Sequence, residues 1–172
     1  MEIVEYEGYR IPVGNHKGKK IVIGCDHRGY DLKEKLKIFL VSHGYKVVDV
    51  GCQSSERCDY PIYSRAVGKL VYEDETFGTV GIGICGSGIG ISIPASKFKG
   101  VYPGLCVNVE QAKSTRKHNN TNYLSLPADQ LDFEKARQIV EAWLEEPFFS
   151  TKDEESYLKR FVQTLEVEEE VY

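Results

Sequence analysis

The chain carries a cysteine inside a glycine-rich turn. Residues 84–90 read ICGSGIG and end an apolar, strand-like run, so Cys85 stands where a predicted strand meets a helix. Glycines allow a tight turn there, and the N–H groups and dipole of a helix start attract an anion. The same field favours the thiolate form of a cysteine, and the hydroxyl of Ser87 lies beside it. The motif therefore predicts an anion-binding loop with a nucleophile or a base inside it.

Several other functions for this glycine-rich loop can be compared with the sequence. The glycines could serve close helix–strand packing alone, with Cys85 as a core residue, but a thiol and a hydroxyl within the turn favour function. A phosphatase of the C-x5-R type needs arginine where Ile91 stands. A dinucleotide site has its glycines after the first strand, whereas here they follow the third and Asp49 ends the second. Base catalysis and covalent catalysis by the thiol both stay open.

Two further segments are rich in polar side chains. DHRG (26–29) follows the first predicted strand, and RKHNNTN (116–122) follows a predicted helix. Taken alone, Asp26 is more typical of a helix cap and His118 of a structural histidine. We expect all three segments to lie at one edge of the sheet and to converge there.

Strands alternate with amphipathic helices along the chain. Strands are predicted at 21–25, 45–51, 79–85, 101–107 and 122–126, and helices at 30–43, 62–72, from the glycine-rich loop to 97, at 109–117 and 133–144. Pro103 places the fourth strand at an edge or a bulge. The pattern predicts an α/β fold: a Rossmann-like, doubly wound parallel sheet of about five strands with helices on both faces.

The chain is expected to divide into an N-terminal extension (1–18), one central domain (19–148) and a C-terminal helical arm with an acidic tail (149–172). Apolar residues of the extension could form a strand or an arm against a neighbour. A helix at 152–165 has one apolar face, which we expect to pack on its own domain or on a second subunit, and EVEEEVY follows it as the tail.

Composition excludes several classes of protein. With 172 residues, a net charge of −4 and a pI near 5.6, the chain has no electrostatic footprint for nucleic acid. No apolar run is long enough for a membrane span or a signal peptide, so we expect a cytoplasmic protein. The five cysteines are odd in number and lack zinc-type spacing, so neither disulfides nor a structural metal are expected.

Four segments in this order resemble the ribose-5-phosphate isomerase B family, which includes the galactose-6-phosphate isomerase subunits: GCDHRG, SSERCDYP, ICGSGIGIS and RKHNNTN. The similarity covers residues 20–148. It implies an aldose–ketose isomerase of phosphorylated sugars, by default ribose 5-phosphate and ribulose 5-phosphate in the pentose phosphate pathway. It also implies no metal or organic cofactor, and a homodimer or homotetramer in which two subunits build each site.

The resemblance implies a role for each matching residue. Cys85 would be the base that moves a proton between C2 and C1 through a cis-enediolate, and His118 would open the sugar ring. Asp26 would assist around the ring hydroxyls, and Ser87 would keep the hydroxyl of the family's usual threonine. His27 would contact phosphate. Further substrate contacts are implied for Tyr60, Gly86, Gly88, Ile89, Gly90 and Asn119.

The chain departs from the family pattern near the phosphate. Asp129 stands where relatives usually carry an arginine, and STKDEESYLKR (150–160) replaces an arginine-rich helix start. Removing an arginine fork weakens phosphate binding. Either Arg116, Lys159 or Arg160 holds the phosphate, or the substrate is another sugar phosphate, such as allose 6-phosphate or a four-carbon erythrulose phosphate. The alternative from a different functional class is a subunit that binds a sugar phosphate but does not convert it.

Overall fold

The computed structural model describes residues 2–148 and 155–172. Its strands are β1 (Glu2–Tyr6), β2 (Tyr9–Val13), β3 (Lys20–Cys25), β4 (Val47–Asp49), β5 (Thr79–Cys85), β6 (Pro103–Leu105) and β7 (Tyr123–Pro127). Its helices are α1 (Tyr30–Ser42), α2 (Tyr60–Tyr72), α3 (Ile89–Ala95), α4 (Val109–Asn119), α5 (Phe133–Glu145) and α6 (Glu155–Val171).

The five strands β3 to β7 form one parallel sheet in the order β4–β3–β5–β7–β6. The doubly wound α/β prediction is confirmed. Every residue of the central β5 and β7 is buried, as a sheet covered on both faces requires. The strand with Pro103 lies at an edge, as expected, and both edge strands are shorter than predicted because they pair on one side only.

Two hydrophobic layers cover the sheet. One layer contains side chains of α1 and α5, including Leu36, Leu40, Ile139 and Trp143. The other contains Val67 and Val71 of α2, Ala95 of α3 and Tyr123 of β7. Within that second layer the Tyr123 ring lies against Gly83, where an added Cβ would be 2.0 Å from the phenol oxygen. A side chain at Gly83 would clash with the Tyr123 ring, so glycine at this position allows the layer to pack closely.

The N-terminal extension forms an antiparallel hairpin that packs on α6 within the same chain. Its turn residues Glu7 and Gly8 both have positive φ, at 51° and 86°, as a two-residue hairpin turn demands. A third apolar cluster joins the hairpin to α6, with Ile11, Val13, Phe148, Leu158, Phe161 and Val162 at its centre. Contact of α6 with a partner subunit stays a prediction.

The acidic segment EVEEEVY, which was expected to follow the predicted helix, is itself part of α6. The helix continues to Val171, although Val167 and Val171 are 60 and 70% exposed. The predicted start of this helix, at 152–154, lies outside the described residues. Within the two described ranges, no helix combines the length and apolar character needed to cross a membrane.

Candidate active site

Cys85 ends the central strand β5 at the carboxyl edge of the sheet, the edge where the parallel strands end. We call residues 84–90 the thiol loop. The Cys85 side chain is 3% exposed, and its sulfur accepts a hydrogen bond from the Gly88 N–H at 3.2 Å. Gly88 has φ of 72°, and an added Cβ would lie 3.1 Å from the backbone nitrogen of Pro127. Glycine is therefore required for the loop to wrap around the sulfur.

The thiol loop has backbone donors to spare. The Ile89 N–H donates to the Ser87 hydroxyl at 3.3 Å, and both residues are exposed. The N–H groups of Gly86, Ser87 and Gly90 have no hydrogen-bond acceptor within the described part of the chain. Free amides turned around one thiol form a site where a developing oxyanion can be stabilised.

The segment after β3 lies beside this loop. Asp26 is 5% exposed, and its N–H donates to the Ile84 carbonyl at 3.0 Å. Its carboxylate accepts from the N–H groups of Arg28 at 2.9 Å and Gly29 at 3.2 Å, so it forms an Asx turn that leads into α1. The carboxyl edge therefore brings Asp26 and Cys85 together.

His27 and Tyr60 border the same loop. The Nδ1 of His27 is 3.0 Å from the Cys58 carbonyl oxygen, which ties the imidazole to the segment before α2. The Tyr60 ring lies over Gly90, where an added Cβ would approach a ring carbon at 3.0 Å. At 38% exposure, Tyr60 forms part of an open rim.

An ion pair that the sequence analysis missed lies directly over the thiol loop. Arg28 donates from Nε to Asp129 Oδ1 at 3.0 Å and from Nη2 to Oδ2 at 2.7 Å. An added Cβ on Gly86 would be 2.6 Å from the Arg28 Nε. The Asp129 N–H also donates to the Gly86 carbonyl at 3.0 Å. The sequence feature that could have indicated this pair is an arginine shortly after one predicted strand and an aspartate shortly after another.

His118 lies at the other edge of the sheet, which we call the amino edge. It precedes β7, whose first residue Tyr123 is paired with Gly81 near the start of β5, while Cys85 is paired with Pro127 at the other end. A strand of seven residues spans roughly 20 Å. The prediction that residues 116–122 converge with the thiol loop is therefore wrong within one chain, because α4 runs back along the sheet and ends at the amino edge.

His118 lines a cavity of about 740 Å³ between α4 and α6, which we call the imidazole cavity. Asn119, Arg160 and Lys97 line it as well. The His118 ring packs on Tyr157 with centroids 4.5 Å apart. Lys159 is exposed on α6 beside Arg160. The predicted site residues His118, Asn119 and Arg160, with Lys159 beside them, thus form a second group, apart from the thiol loop.

The prediction of Arg116 as a phosphate ligand is wrong for this structure. Its side chain is 1% exposed, and the guanidinium donates to the carbonyls of Thr121 at 2.8 Å and Gly14 at 2.9 Å and to Asn120 Oδ1 at 2.9 Å. Burial lowers the pKa of Arg116 to about 9. Its donors are used inside the protein, where they join the N-terminal extension to the end of α4.

Asp49, at the end of the second strand of the sheet, has a structural role. Its carboxylate accepts from Lys33 at 2.7 and 2.8 Å and from Lys37 at 2.7 Å. Burial alone would raise the pKa of Asp49, but the hydrogen bonds from both lysines hold it below its ordinary value. The carboxylate is therefore occupied and does not offer the free acceptor that a dinucleotide ribose would need.

Two other cysteines near the site have thiol pKa values above the ordinary value. Burial raises the pKa of Cys25 to about 12, and burial together with contact to Cys52 raises that of Cys58 to about 11. Within residues 2–148 and 155–172, no three His, Cys, Asp or Glu side chains form a group able to hold a metal ion.

Sequence comparison identifies the family. The model of the Ribose/Galactose Isomerase family matches residues 21–160. Ribose-5-phosphate isomerase B of Escherichia coli K12 is 45% identical over 126 residues, which cover 73% of this chain and 83% of the relative. Galactose-6-phosphate isomerase subunit LacB of Clostridium acetobutylicum is 31% identical over 146 residues, covering 85% of this chain and 83% of the relative.

Solved structures give the same result. Ribose-5-phosphate isomerase B of Clostridium thermocellum superimposes with a TM-score of 0.81 at 36% identity, over 89% of this chain and 99% of the other. The Mycoplasma genitalium enzyme with bound ribulose-5-phosphate has a TM-score of 0.81 at 30% identity, over 88% and 97%. The resemblance stated from four motifs is confirmed. The chain belongs to the ribose/galactose isomerase family and is an aldose–ketose isomerase of sugar phosphates, of the ribose-5-phosphate isomerase B type.

Proposed function

We propose that the protein interconverts ribose 5-phosphate and ribulose 5-phosphate through a cis-enediolate, with Cys85 as the base. The observation that carries this proposal is the position of the Cys85 sulfur, at a strand end and inside a loop of unpaired amides. The bound ribulose-5-phosphate of the Mycoplasma genitalium relative supports the choice of substrate.

The chemistry needs a base and a group that stabilises negative charge. The sulfur of Cys85 removes the proton from C2 of the open-chain aldose and returns it to C1, while the hydroxyl proton passes from O2 to O1. The reverse reaction follows the same path. Negative charge develops on the enediolate oxygen, which the N–H groups of the thiol loop can bind. Preorganised donors of this kind contribute several kcal/mol to catalysis.

Ring opening requires a second group, which we assign to His118 of another copy of the chain. Within one chain His118 is at the wrong edge of the sheet, so a complete site needs the imidazole cavity of a second subunit to face the thiol loop. Ile62, Ile89 and Ile93 support this assembly, because they are 63, 55 and 53% exposed around the thiol loop. Clustered apolar side chains on a surface are typical of an interface.

The same arrangement supplies a phosphate site. Arg160 lines the imidazole cavity together with Lys97 and Asn119, and Lys159 is exposed beside it. An arginine on a helix can bind a phosphate with two parallel hydrogen bonds. We assign the phosphate to Arg160 of the second subunit, since Arg116 is buried and Arg28 is neutralised by Asp129.

Mixed oligomers of two inactive variants test the shared site. Cys85→Ala and His118→Ala homo-oligomers are each expected to lose turnover of cyclic ribose 5-phosphate. A dimer that combines them has one site with both groups intact, so random mixing should restore roughly a quarter of wild-type activity. No recovery in hybrids of verified composition would contradict the sharing of sites. Full activity in either pure variant would contradict the role given to that residue.

The neutral Arg28–Asp129 pair favours a second candidate substrate class. Where a phosphate fork would lie, the chain has a pair that can donate to and accept from sugar hydroxyls. Allose 6-phosphate and four-carbon erythrulose phosphate are the alternatives. Values of kcat/KM across a panel of sugar phosphates decide between them, and the value for ribose 5-phosphate should be the highest.

Two other outcomes would favour different functions. Binding of a sugar phosphate without turnover would favour a non-catalytic subunit, and a trapped adduct on Cys85 would favour covalent catalysis.

A further inference from the structure

A second cavity, of about 420 Å³, opens at the amino edge of the sheet. It lies between the N-terminal hairpin, α6 and the strand starts, far from the thiol loop. Arg10, Pro12 and His16 contribute to its wall, and they precede the residues 21–160 that match the family. The N-terminal extension therefore builds a cavity that the isomerase fold does not contain by itself. We call it the amino-edge cavity.

Three basic side chains line this cavity, together with the carboxylates of Asp74 and Glu75. Arg10, Lys19 and Lys99 form no ion pair and no side-chain hydrogen bond within the described ranges. Asp74, the acidic neighbour of Lys19, is engaged by the hydroxyls of Thr76 and Thr79. Burial, followed by the charge of Arg116, lowers the pKa of Lys19 to about 8. An anion in the cavity would relieve this unfavourable environment.

Aromatic rings form the apolar part of the wall. Tyr72, Phe77, Tyr102 and Phe161 all line the cavity. The Tyr102 hydroxyl donates to Glu168 at 2.9 Å, so its polar end has a partner and the ring supplies the surface. Tyrosine and phenylalanine faces bind flat heteroaromatic rings by stacking. The exposed Glu75 adds a hydrogen-bond acceptor at the rim.

We propose that the amino-edge cavity binds a nucleoside monophosphate. Its phosphate would lie among Lys19, Lys99 and Arg10, its base against the aromatic rings, and its ribose hydroxyls near Glu75. The volume falls within the roughly 300–1,000 Å³ of ligand sites, whose walls combine apolar surface with a few polar groups. The site is separate from the isomerase site, and it does not depend on which sugar phosphate the enzyme converts.

Calorimetric titration of the full chain with AMP tests the proposal. AMP should bind, whereas adenosine, which lacks the phosphate, and inorganic phosphate, which lacks the base, should each bind at least about tenfold more weakly. Saturating ribose 5-phosphate should leave AMP binding unchanged. Because burial lowers the pKa of Lys19 to about 8, AMP affinity should fall as the pH rises above that value.

Two lysine variants make the test specific. Lys19→Met and Lys99→Met should each weaken AMP binding about tenfold or more. Lys17→Met is the matched control, because Lys17 is two positions away, pairs with Glu145 at 3.0 Å and does not line the amino-edge cavity. The proposal is overturned by absence of AMP binding at millimolar concentration, by equal binding of adenosine, by displacement with ribose 5-phosphate, or by equal losses in the Lys17 and Lys19 variants. Each variant should also unfold with the same curve as the wild type, which ensures that a loss of AMP binding reflects the site and not a loss of folding.

Discussion

The guanidinium of Arg28 forms two parallel hydrogen bonds with the carboxylate of Asp129 across the backbone of Gly86. The pair links the segment after β3 to the segment after β7 over the loop that contains the thiol. Its partners are 56 and 44% exposed, so it adds little to stability. We expect this pair, because of its position, to influence which sugar the loop accepts.

Replacing Arg28 by methionine should therefore affect substrate binding more than folding. The variant leaves the Asp129 charge unbalanced beside the loop that we propose to bind the enediolate. KM for the sugar phosphate should therefore rise about tenfold, or ~1.4 kcal/mol, while kcat changes little. Steady-state kinetics and urea unfolding measure the two effects. Arg137→Met is the matched control, since Arg137 forms a comparable surface pair with Glu134 on α5. Equal KM values in both variants would show that the Arg28 pair is not at the substrate.

Cys85→Ala should reduce kcat/KM by at least about a thousandfold, because no other described side chain in the thiol loop can act as a base at neutral pH. Rate measurements on ribose 5-phosphate and a thermal unfolding curve check the result. Cys106→Ala is the control, as that thiol is equally buried and burial raises its pKa to about 12. If the Cys106 variant loses as much activity, packing rather than proton transfer explains the Cys85 result.

His118→Ala should separate cyclic from open-chain substrates. Turnover of ribose 5-phosphate, which is largely cyclic, should fall about a hundredfold, a typical loss for a general acid–base group. Erythrose 4-phosphate cannot close a five-membered ring, because its fourth oxygen carries the phosphate, so any turnover of it should be nearly unchanged. His43→Ala is the control, since His43 is exposed at the end of α1. Equal losses on both sugars would remove ring opening from the role of His118.

His16 should make the protein less stable in mild acid. Burial, aided by the charges of Arg116 and Lys19, holds the pKa of His16 well below 6.5, so the folded state keeps the imidazole neutral. The unfolded chain binds a proton there below about pH 6.5, and the free energy of unfolding should then fall by up to ~1.4 kcal/mol per pH unit. Urea unfolding between pH 7.5 and pH 5 measures this slope. A His16→Gln variant with the same slope would assign the effect to other groups.

The sequence allowed prediction of features that depend on neighbouring residues. The thiol loop and the edge position of Pro103 follow from local turn chemistry and strand patterns, and the structure has both. Asp26 stabilises the turn before α1, but the N-cap of that helix is Gly29, without a side-chain hydrogen bond. The location of His118 was mispredicted because a helix-to-strand junction returns to the opposite edge, which is a property of the topology. The burial of Arg116 was not predictable either, since its acceptors Gly14 and Thr121 come from separate parts of the chain.

The rings of Tyr102 and Phe161 meet edge to face, with centroids 5.2 Å apart, and both line the imidazole cavity and the amino-edge cavity. The two rings therefore separate the imidazole cavity from the amino-edge cavity. Removing one ring, as in Phe161→Ala, would join the two cavities into one larger cavity. It would also remove packing contacts that hold α6 against the rest of the protein. One substitution would then disturb Arg160 in the imidazole cavity and the wall of the amino-edge cavity together.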